Sequence, residues 1–329
     1  MVFKAVGYVC HSDWSINPQK RWMASASLQS DHRWHAFPLQ QIAEPGTFLD
    51  LIKSQSSTSA CILAGFDFPI GLPVHYASKA GISNFLAALS LFGREEWDQF
   101  FQPAETPVQI SLHRPFYPLR PGSARRSHLE QGLILGFQQL YRLCELAHKN
   151  RPAACPLFWT LGSQQVGKAA IHGWKQLLST ALLHPDLCVK IWPFSGVLAD
   201  ICQPGNLVIV ETYPAEFYGQ LGILNVKGIT SKRSLPARQH YATKLISWAE
   251  KLDIDLENSL RESLLAGFGD HPFSEDQFDA LIGLYGMINV LGGNQPSGEP
   301  FPPQVSNIEG WIFGQEQPGS DLYFARTFP

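Results

Sequence analysis

The first third of the chain consists of short apolar runs separated by polar connections, the pattern of a β-meander. Strand-like runs cover residues 3–10, 21–28 and 33–38, and residues 48–54 have the spacing of a short helix. The next run, residues 61–68, is apolar at every position except Asp67. Such an unalternated run is typical of a strand covered on both faces in the parallel part of a sheet. This part of the chain therefore predicts an antiparallel three-strand meander followed by a buried parallel strand.

The rest of the chain alternates helical and strand-like patterns. Apolar spacing predicts helices over residues 131–149, 169–183, 235–251, 256–266 and 276–291, and strands over residues 188–192, 207–211 and 311–313. Proline-rich residues 102–122 and 151–156 predict surface loops. Strands that alternate with helices favour a sheet with helices on its faces. We therefore predict one α/β domain over residues 1–329, with a mixed sheet and a helical and loop insertion at about residues 102–186.

The composition fits a chain with a large core. Of its 329 residues, 45% are hydrophobic and 16% are charged, which excludes a disordered chain. The first residues lack the apolar run and cleavage site of a signal peptide, and no apolar stretch approaches the roughly 18 residues of a membrane span. We therefore expect a cytoplasmic protein that does not bind a membrane. The six cysteines include no Cys-x-x-Cys pair, so their spacing does not indicate a zinc site.

Two carboxylates stand where a buried strand ends. Asp67 lies near the end of the run 61–68, Glu211 ends the run 207–211, and a proline follows each within three residues. A buried carboxylate without a partner costs several kcal/mol, so charges at these positions need partners. Because ligand crevices form at the carboxyl ends of strands, this pair predicts an acidic site at that edge of the sheet.

Three further acids are candidates for the same site. Asp13 ends or follows the first strand, and Asp276 and Asp279 share one face at the start of the last long helix. Gathered together, such carboxylates suit Mg²⁺ or Mn²⁺, which prefer oxygen ligands. In the alternative, each acid acts separately: Asp276 stabilises a helix N-terminus, and Asp13 organises a turn.

A basic segment interrupts two acidic parts of the chain. The net charge is −3, but residues 106–185 hold nine bases and two acids, which leaves +7 there. Guanidinium groups bind phosphates and aromatic faces stack on bases, so the segment is a candidate for binding nucleic acid. The candidate substrate contacts are Arg114, Arg120, Arg125, Arg126, Lys232 and Arg233. The alternative is a solvated insertion with unevenly distributed charge and, at Lys232 and Arg233, a solvated helix face.

Several of these motifs resemble a known family, domain-of-unknown-function family 429, which is described as predicted ribonuclease H-like nucleases. The similarity rests on Asp13-Trp14-Ser15, Lys20-Arg21-Trp22, Gly65-Phe66-Asp67-Phe68-Pro69-Ile70-Gly71-Leu72-Pro73, Glu211-Thr212-Tyr213-Pro214-Ala215, Asp276-Gln277-Phe278-Asp279-Ala280 and Glu309-Gly310-Trp311-Ile312. Two central elements also match, Leu161-Gly162-Ser163-Gln164-Gln165-Val166-Gly167 and Ile191-Trp192-Pro193-Phe194. The resemblance extends from the first strand to about Phe313.

The resemblance implies a ribonuclease H-like sheet in which Asp13, Asp67, Glu211 and Asp279 bind metal and Asp276 joins them in catalysis. It also implies a hydrolase that cleaves a nucleic-acid phosphodiester with two divalent cations, Mg²⁺ or Mn²⁺. Two alternatives remain open. One is a binding module of the same fold that has lost catalysis. The other is a phosphotransferase that acts on nucleotides, against which the absence of a Gly-rich phosphate loop counts.

Overall fold

The computed structural model describes residues 3, 5–55, 60–149, 151–161, 166–223 and 231–317. Within these residues, eight strands form one mixed sheet: β1 (Val6–Asp13), β2 (Trp22–Leu28), β3 (Trp34–Ala36), β4 (Gln40–Gln41), β5 (Cys61–Phe66), β6 (Cys188–Ile191), β7 (Asn206–Glu211) and β8 (Ile254–Leu256). Their order in space is β6-β7-β5-β1-β2-β3-β8, and β4 pairs with β2. The predicted α/β class, mixed sheet and flanking helices are confirmed.

The sheet has an antiparallel half and a parallel half. Strands β1, β2 and β3 form the predicted antiparallel meander, whereas β5, β7 and β6 continue the sheet in parallel from β1. Strand β1 begins and ends three residues later than predicted, so that Asp13 is its last residue. Strand β8 pairs in parallel with β3 and was not predicted, because three residues are too few to show a periodic pattern.

Helices cover both faces of the sheet. They are α1 (Pro45–Gln55), α2 (Val74–Lys79), α3 (Phe85–Leu91), α4 (Ser127–Leu133), α5 (Val166–His172), α6 (Ser179–Leu182), α7 (Leu198–Ile201), α8 (Pro214–Gln220), α9 (Leu235–Lys251), α10 (Asn258–Leu265) and α11 (Ser274–Leu291). A π-helical turn, Gly173–Leu178, joins α5 to α6, in agreement with the helix predicted over residues 169–183. In the described part of the chain, no helix is long and apolar enough to cross a membrane.

Two predicted elements were wrong. The helix expected over residues 131–149 ends with α4, because Ile134 adopts the left-handed conformation with φ +52°. Two 3₁₀ turns follow, Phe137–Leu140 and Leu143–Glu145, and their apolar side chains are buried by tertiary contacts. The strand expected over residues 311–313 is a single bridge between Ile312 and Glu211. The first correction matters most, since it puts residues 142–145 in a turn beside the sheet.

Helix α11 lies directly across β1. The hydrophobic layer on this face of the sheet includes the buried residues of α9 and α11, and the layer on the other face includes those of α1–α3 and of much of the chain between β5 and β6. A Cβ atom at Gly283 would lie 2.2 Å from the His11 ring, so the ring fits against α11 only because this position is glycine. The His11 Nδ1–H group donates to the Ala280 carbonyl at 3.1 Å. These contacts bring the N-terminal turns of α11 over the strand ends.

Candidate active site

The strand register decides which acids share a face of the sheet. Ser12 pairs with Phe66, and Phe66 pairs with Glu211. One residue further, Asp13 and Asp67 lie side by side, and the Asp67 amide still donates to the Ser12 carbonyl at 3.2 Å. Because side chains alternate along a strand, Asp13 and Asp67 point to the face covered by α11, whereas Glu211 points to the opposite face with Phe66. The acids predicted as one set are therefore divided between two faces.

Helix α11 adds Asp276 and Asp279 to Asp13 and Asp67, and we call these four residues the acid cluster. Burial, followed by the charges of Asp279, Asp67 and Asp276, raises the pKa of Asp13 well above its ordinary value. Burial and then Asp279 raise the pKa of Asp67 to about 7. Burial, with Asp279 among the neighbouring charges, raises the pKa of Asp276 to about 6. The four carboxylates are thus close enough to repel one another.

Within the described residues, three of the four acids lack a hydrogen-bonded counterpart. Asp13 and Asp67 are half-buried, and no described residue donates a hydrogen bond to either side chain. The Oδ2 atom of Asp276 is buried and also has no partner within the described residues. Asp279 differs, because it accepts from the Tyr218 hydroxyl at 2.5 Å and contacts a lysine. Buried carboxylate oxygens without donors are unfavourable, so the cluster favours the arrival of a cation.

Glu211 takes part in a buried hydrogen-bond network, and its charge also contributes to the raised pKa of Asp67. Arg142 donates Nη2 to Glu211 Oε1 at 2.6 Å and Nη1 to Oε2 at 2.7 Å, and the Ile70 amide donates to Oε2 at 2.6 Å. The Nε of the same arginine donates to Glu145 at 2.9 Å. Both oxygens of Glu211 are therefore occupied. These contacts hold Arg142 and the loop after β5 in place, and metal binding by Glu211 stays a prediction.

Lys232 and Arg233, predicted to contact substrate, lie beside the acid cluster and pair with acids of α11. The Lys232 ammonium contacts the Asp279 carboxylate and is 3.4 Å from Glu275 Oε1. Arg233 Nε is 3.5 Å from Glu275 Oε2. Burial lowers the pKa of Lys232, but the charge and hydrogen bond of Asp279 and the charges of Glu275 and Asp13 together outweigh it, and the pKa is raised above the ordinary value.

The four arginines predicted in the basic segment do not line the cleft at the acid cluster, as far as the structure describes its walls. Arg114 donates to two backbone carbonyls of the preceding loop, each at 3.0 Å. The Arg126 guanidinium lies 5.8 Å from the centre of the Trp159 ring. Arg120 and Arg125 are exposed. Two of the four thus have structural contacts, and the other two are directed to solvent.

A cleft of about 630 Å³ opens above Asp13, Asp67 and Asp276. Its basic residues include Lys20 and Lys168, which have no ion pair with any described residue. Lys20 lies close enough to lower the pKa of Asp276 against the larger effect of burial. Neither lysine was predicted as a site residue. Lys20 stands in one of the motifs that carry the family resemblance, whereas no local signal separates Lys168 from other surface lysines. Tyr213 adds an aromatic face to the same cleft.

The donors of the acid cluster suit a hard divalent cation. Carboxylate oxygens are preferred by Mg²⁺, and the unpartnered Asp276 Oδ2 is the kind of atom that such a cation satisfies. Among the described residues, however, no group of three or more His, Cys, Asp or Glu side chains is arranged to hold a metal ion. Mg²⁺ commonly takes only one or two protein carboxylates and completes its shell with water and substrate phosphate. The cluster therefore fits a cation shared with a substrate and not a closed protein cage.

Searches of protein-family models, curated proteins and solved structures found no match to this chain. The resemblance to domain-of-unknown-function family 429 thus rests on the quoted motifs alone. Of those motifs, residues 162–165 lie outside the described residues.

Proposed function

We propose that this chain is a ribonuclease H-like hydrolase that cleaves a nucleic-acid phosphodiester with the help of Mg²⁺ or Mn²⁺. The observation that carries the proposal is the register that sets Asp13 beside Asp67, under Asp276, with no hydrogen bond to either strand acid from the described residues. The antiparallel meander followed by parallel strands supports the ribonuclease H-like part of the proposal. The quoted motifs support it independently.

The chain's own residues have distinct tasks in this proposal. Asp13 and Asp67 hold the cation, and Asp276 adds an oxygen from the helix side. A bound divalent cation supplies positive charge to the scissile phosphate and acidifies water. Lys20 and Lys168 attract the flanking phosphates of the strand, and Tyr213 offers a face on which a base stacks.

The charges in the cleft explain why substrate and cation would bind together. Without a cation, the carboxylates on the floor repel a phosphate, whereas the lysines on the walls attract one. A divalent cation that binds the carboxylates reverses the sign of the charge at the floor and leaves the charge of the walls unchanged. We therefore expect the cation to increase the affinity for a nucleic acid, and the nucleic acid to increase the affinity for the cation.

The test is cleavage of labelled single-stranded DNA, single-stranded RNA, duplex DNA and RNA–DNA hybrid, with Mg²⁺ or Mn²⁺ and with a chelator. We expect metal-dependent cleavage of at least one substrate, loss of that activity in Asp67→Asn, and retention of it in Asp50→Asn, whose exposed carboxylate lies on α1. Cleavage that persists in the chelator or in Asp67→Asn would overturn the proposal.

A non-catalytic binding module is the second candidate. The contact between Lys232 and Asp279 favours it, because an ammonium group neutralises one acid of the cluster without any metal. A protein of this kind binds labelled oligonucleotides equally well in the chelator and cleaves none of the four substrates. The same set of assays therefore separates the two candidates.

A further inference from the structure

Both carboxylate oxygens of Asp279 already have a side-chain partner. Its Oδ1 atom accepts from the Tyr218 hydroxyl at 2.5 Å, and its Oδ2 atom contacts the Lys232 ammonium. The residue is 7% exposed, so water reaches little of it. A second metal ion that used Asp279 would have to share the carboxylate with the Lys232 ammonium, whose positive charge repels it.

Lys232 is held from several sides. Besides Asp279, its Nζ atom lies 3.4 Å from Glu275 Oε1 and 5.5 Å from the centre of the Tyr218 ring. The side chain is 28% exposed. Lys232, Asp279, Tyr218 and Asp67 also line a smaller cavity of about 340 Å³ that adjoins the cleft. An ammonium group is thus fixed within the acidic site itself.

The remaining free carboxylates are too few for a pair of cations. Two cations in one site sit about 3.5–4 Å apart and repel strongly, so several carboxylates must bridge or surround them. Glu211 and Glu145 are bound to Arg142, Asp279 to Lys232, and Glu275 to Lys232 and Arg233. Of the described acids that line the cleft, Asp13, Asp67 and Asp276 are left. No group of three or more potential ligands is arranged around one point in the described residues. One cation on Asp13 and Asp67 agrees with these facts.

We infer that the site binds one divalent cation and that the Lys232 ammonium takes the place of a second one. This inference rests on the proposed function and replaces the two-cation mechanism that the family resemblance implies. An ammonium group has three N–H donors, and the two acids of α11 engage two of them. The third donates to a phosphate oxygen of the substrate, on the side of the cleft where the smaller cavity opens. Lys232 is then a substrate-contacting residue as well as the partner of Asp279.

The test counts bound metal and does not depend on activity. Mn²⁺ is titrated into the protein, with free Mn²⁺ followed by electron paramagnetic resonance and bound Mn²⁺ by calorimetry. We expect one Mn²⁺ per chain, and none at that affinity in Asp67→Asn. Lys232→Met should increase the Mn²⁺ affinity by about tenfold or allow a second ion to bind, since one positive charge is removed within a few ångströms. Lys53→Met is the matched control, because Lys53 pairs with an acid at an exposed site, and it should bind Mn²⁺ like the wild type.

The outcomes separate the two proposals. No bound Mn²⁺ in the wild type would overturn the metal-dependent function itself. Two Mn²⁺ ions of similar affinity in the wild type would overturn only the inference about Lys232. One Mn²⁺ ion in the wild type, with an unchanged Mn²⁺ affinity and stoichiometry in Lys232→Met, would also overturn the inference about Lys232 alone. Lys232→Arg keeps the charge and should keep the wild-type stoichiometry, which shows whether charge or packing is responsible.

Discussion

Arg142 donates to both carboxylate oxygens of Glu211, at 2.6 and 2.7 Å, and both side chains are almost completely buried. Glu211 ends a core strand, and Arg142, 69 residues earlier in the chain, immediately precedes the 3₁₀ turn Leu143–Glu145. The same guanidinium donates to the carbonyls of Ile70 and Glu309. One arginine therefore ties together the end of β7, the loop after β5 and the C-terminal part of the described chain.

Glu211→Gln should destabilise the protein by about 3–5 kcal/mol, because it removes one partner of a buried ion pair and leaves part of the arginine charge uncompensated. Urea unfolding measures this change, and Glu262→Gln, at an exposed position on α10, should change the stability by less than about 0.5 kcal/mol. The Mn²⁺ stoichiometry of Glu211→Gln should equal that of the wild type. Loss of metal binding in a folded Glu211→Gln protein would show that Glu211 belongs to the metal site.

Asp67→Asn should stabilise the metal-free protein at pH 8. The pKa of Asp67 is raised to about 7 in the folded protein, above its ordinary value, so the folded state retains a proton that the unfolded state releases. The resulting contribution to stability is present below about pH 4 and is lost as the pH rises to about 7. In the presence of a chelator, the free energy of unfolding of the variant should thus exceed that of the wild type by about 1–3 kcal/mol at pH 8. Near pH 4 the two free energies should be equal.

Thermal or urea unfolding across this pH range checks the prediction. Asp50→Asn should follow the wild-type curve at every pH, because its carboxylate is exposed. At pH 8, saturating Mn²⁺ should make the wild type more stable than Asp67→Asn, since a cation that binds only the folded wild type stabilises it. A variant that is less stable than the wild type at pH 8 in the chelator would contradict the repulsion within the acid cluster.

Lys20→Ala and Lys168→Ala should each weaken the binding of a single-stranded oligonucleotide. Each lost phosphate contact lowers the slope of log affinity against log salt concentration by about 0.7. Fluorescence anisotropy at several salt concentrations, with Ca²⁺ in place of Mg²⁺ to limit cleavage, measures this slope. Arg120→Ala and Arg125→Ala remove exposed charges that do not line the described walls of the cleft, and should leave the slope unchanged. If the two arginine variants lower the slope and the two lysine variants do not, the basic segment and not the cleft binds the strand.

Gly283→Ala should destabilise the protein by about 1–3 kcal/mol, because the added methyl group would overlap the buried His11 ring. Gly46→Ala on α1 is the matched control, since nothing lies within 4 Å of the added Cβ there. It should be neutral or slightly stabilising. If α11 positions Asp276 and Asp279, Gly283→Ala should also weaken Mn²⁺ binding. Equal stability of the two variants would contradict the close packing of α11 on β1.

The local sequence determined the class of the fold and the positions of the acids along it. Apolar runs and helical spacing are local properties, so the meander, the buried strand β5 and helices such as Leu235–Lys251 follow from them. The prediction that a charge at the end of a core strand needs a partner is met at Glu211 by Arg142, whereas no described residue donates a hydrogen bond to the Asp67 side chain. The helix predicted over residues 131–149 failed, because its apolar residues are buried by distant elements and not along one helix face.

Only the tertiary structure decided which acids meet. A shift of one residue in strand register moves a side chain to the opposite face of the sheet, and no local pattern encodes that register. Phe66 lies level with Glu211, so Asp67 shares its face with Asp13 instead. The partners of Glu211 and Asp279 are 69 and 47 residues away in the chain, and chain folding alone brings Arg142 and Lys232 to them.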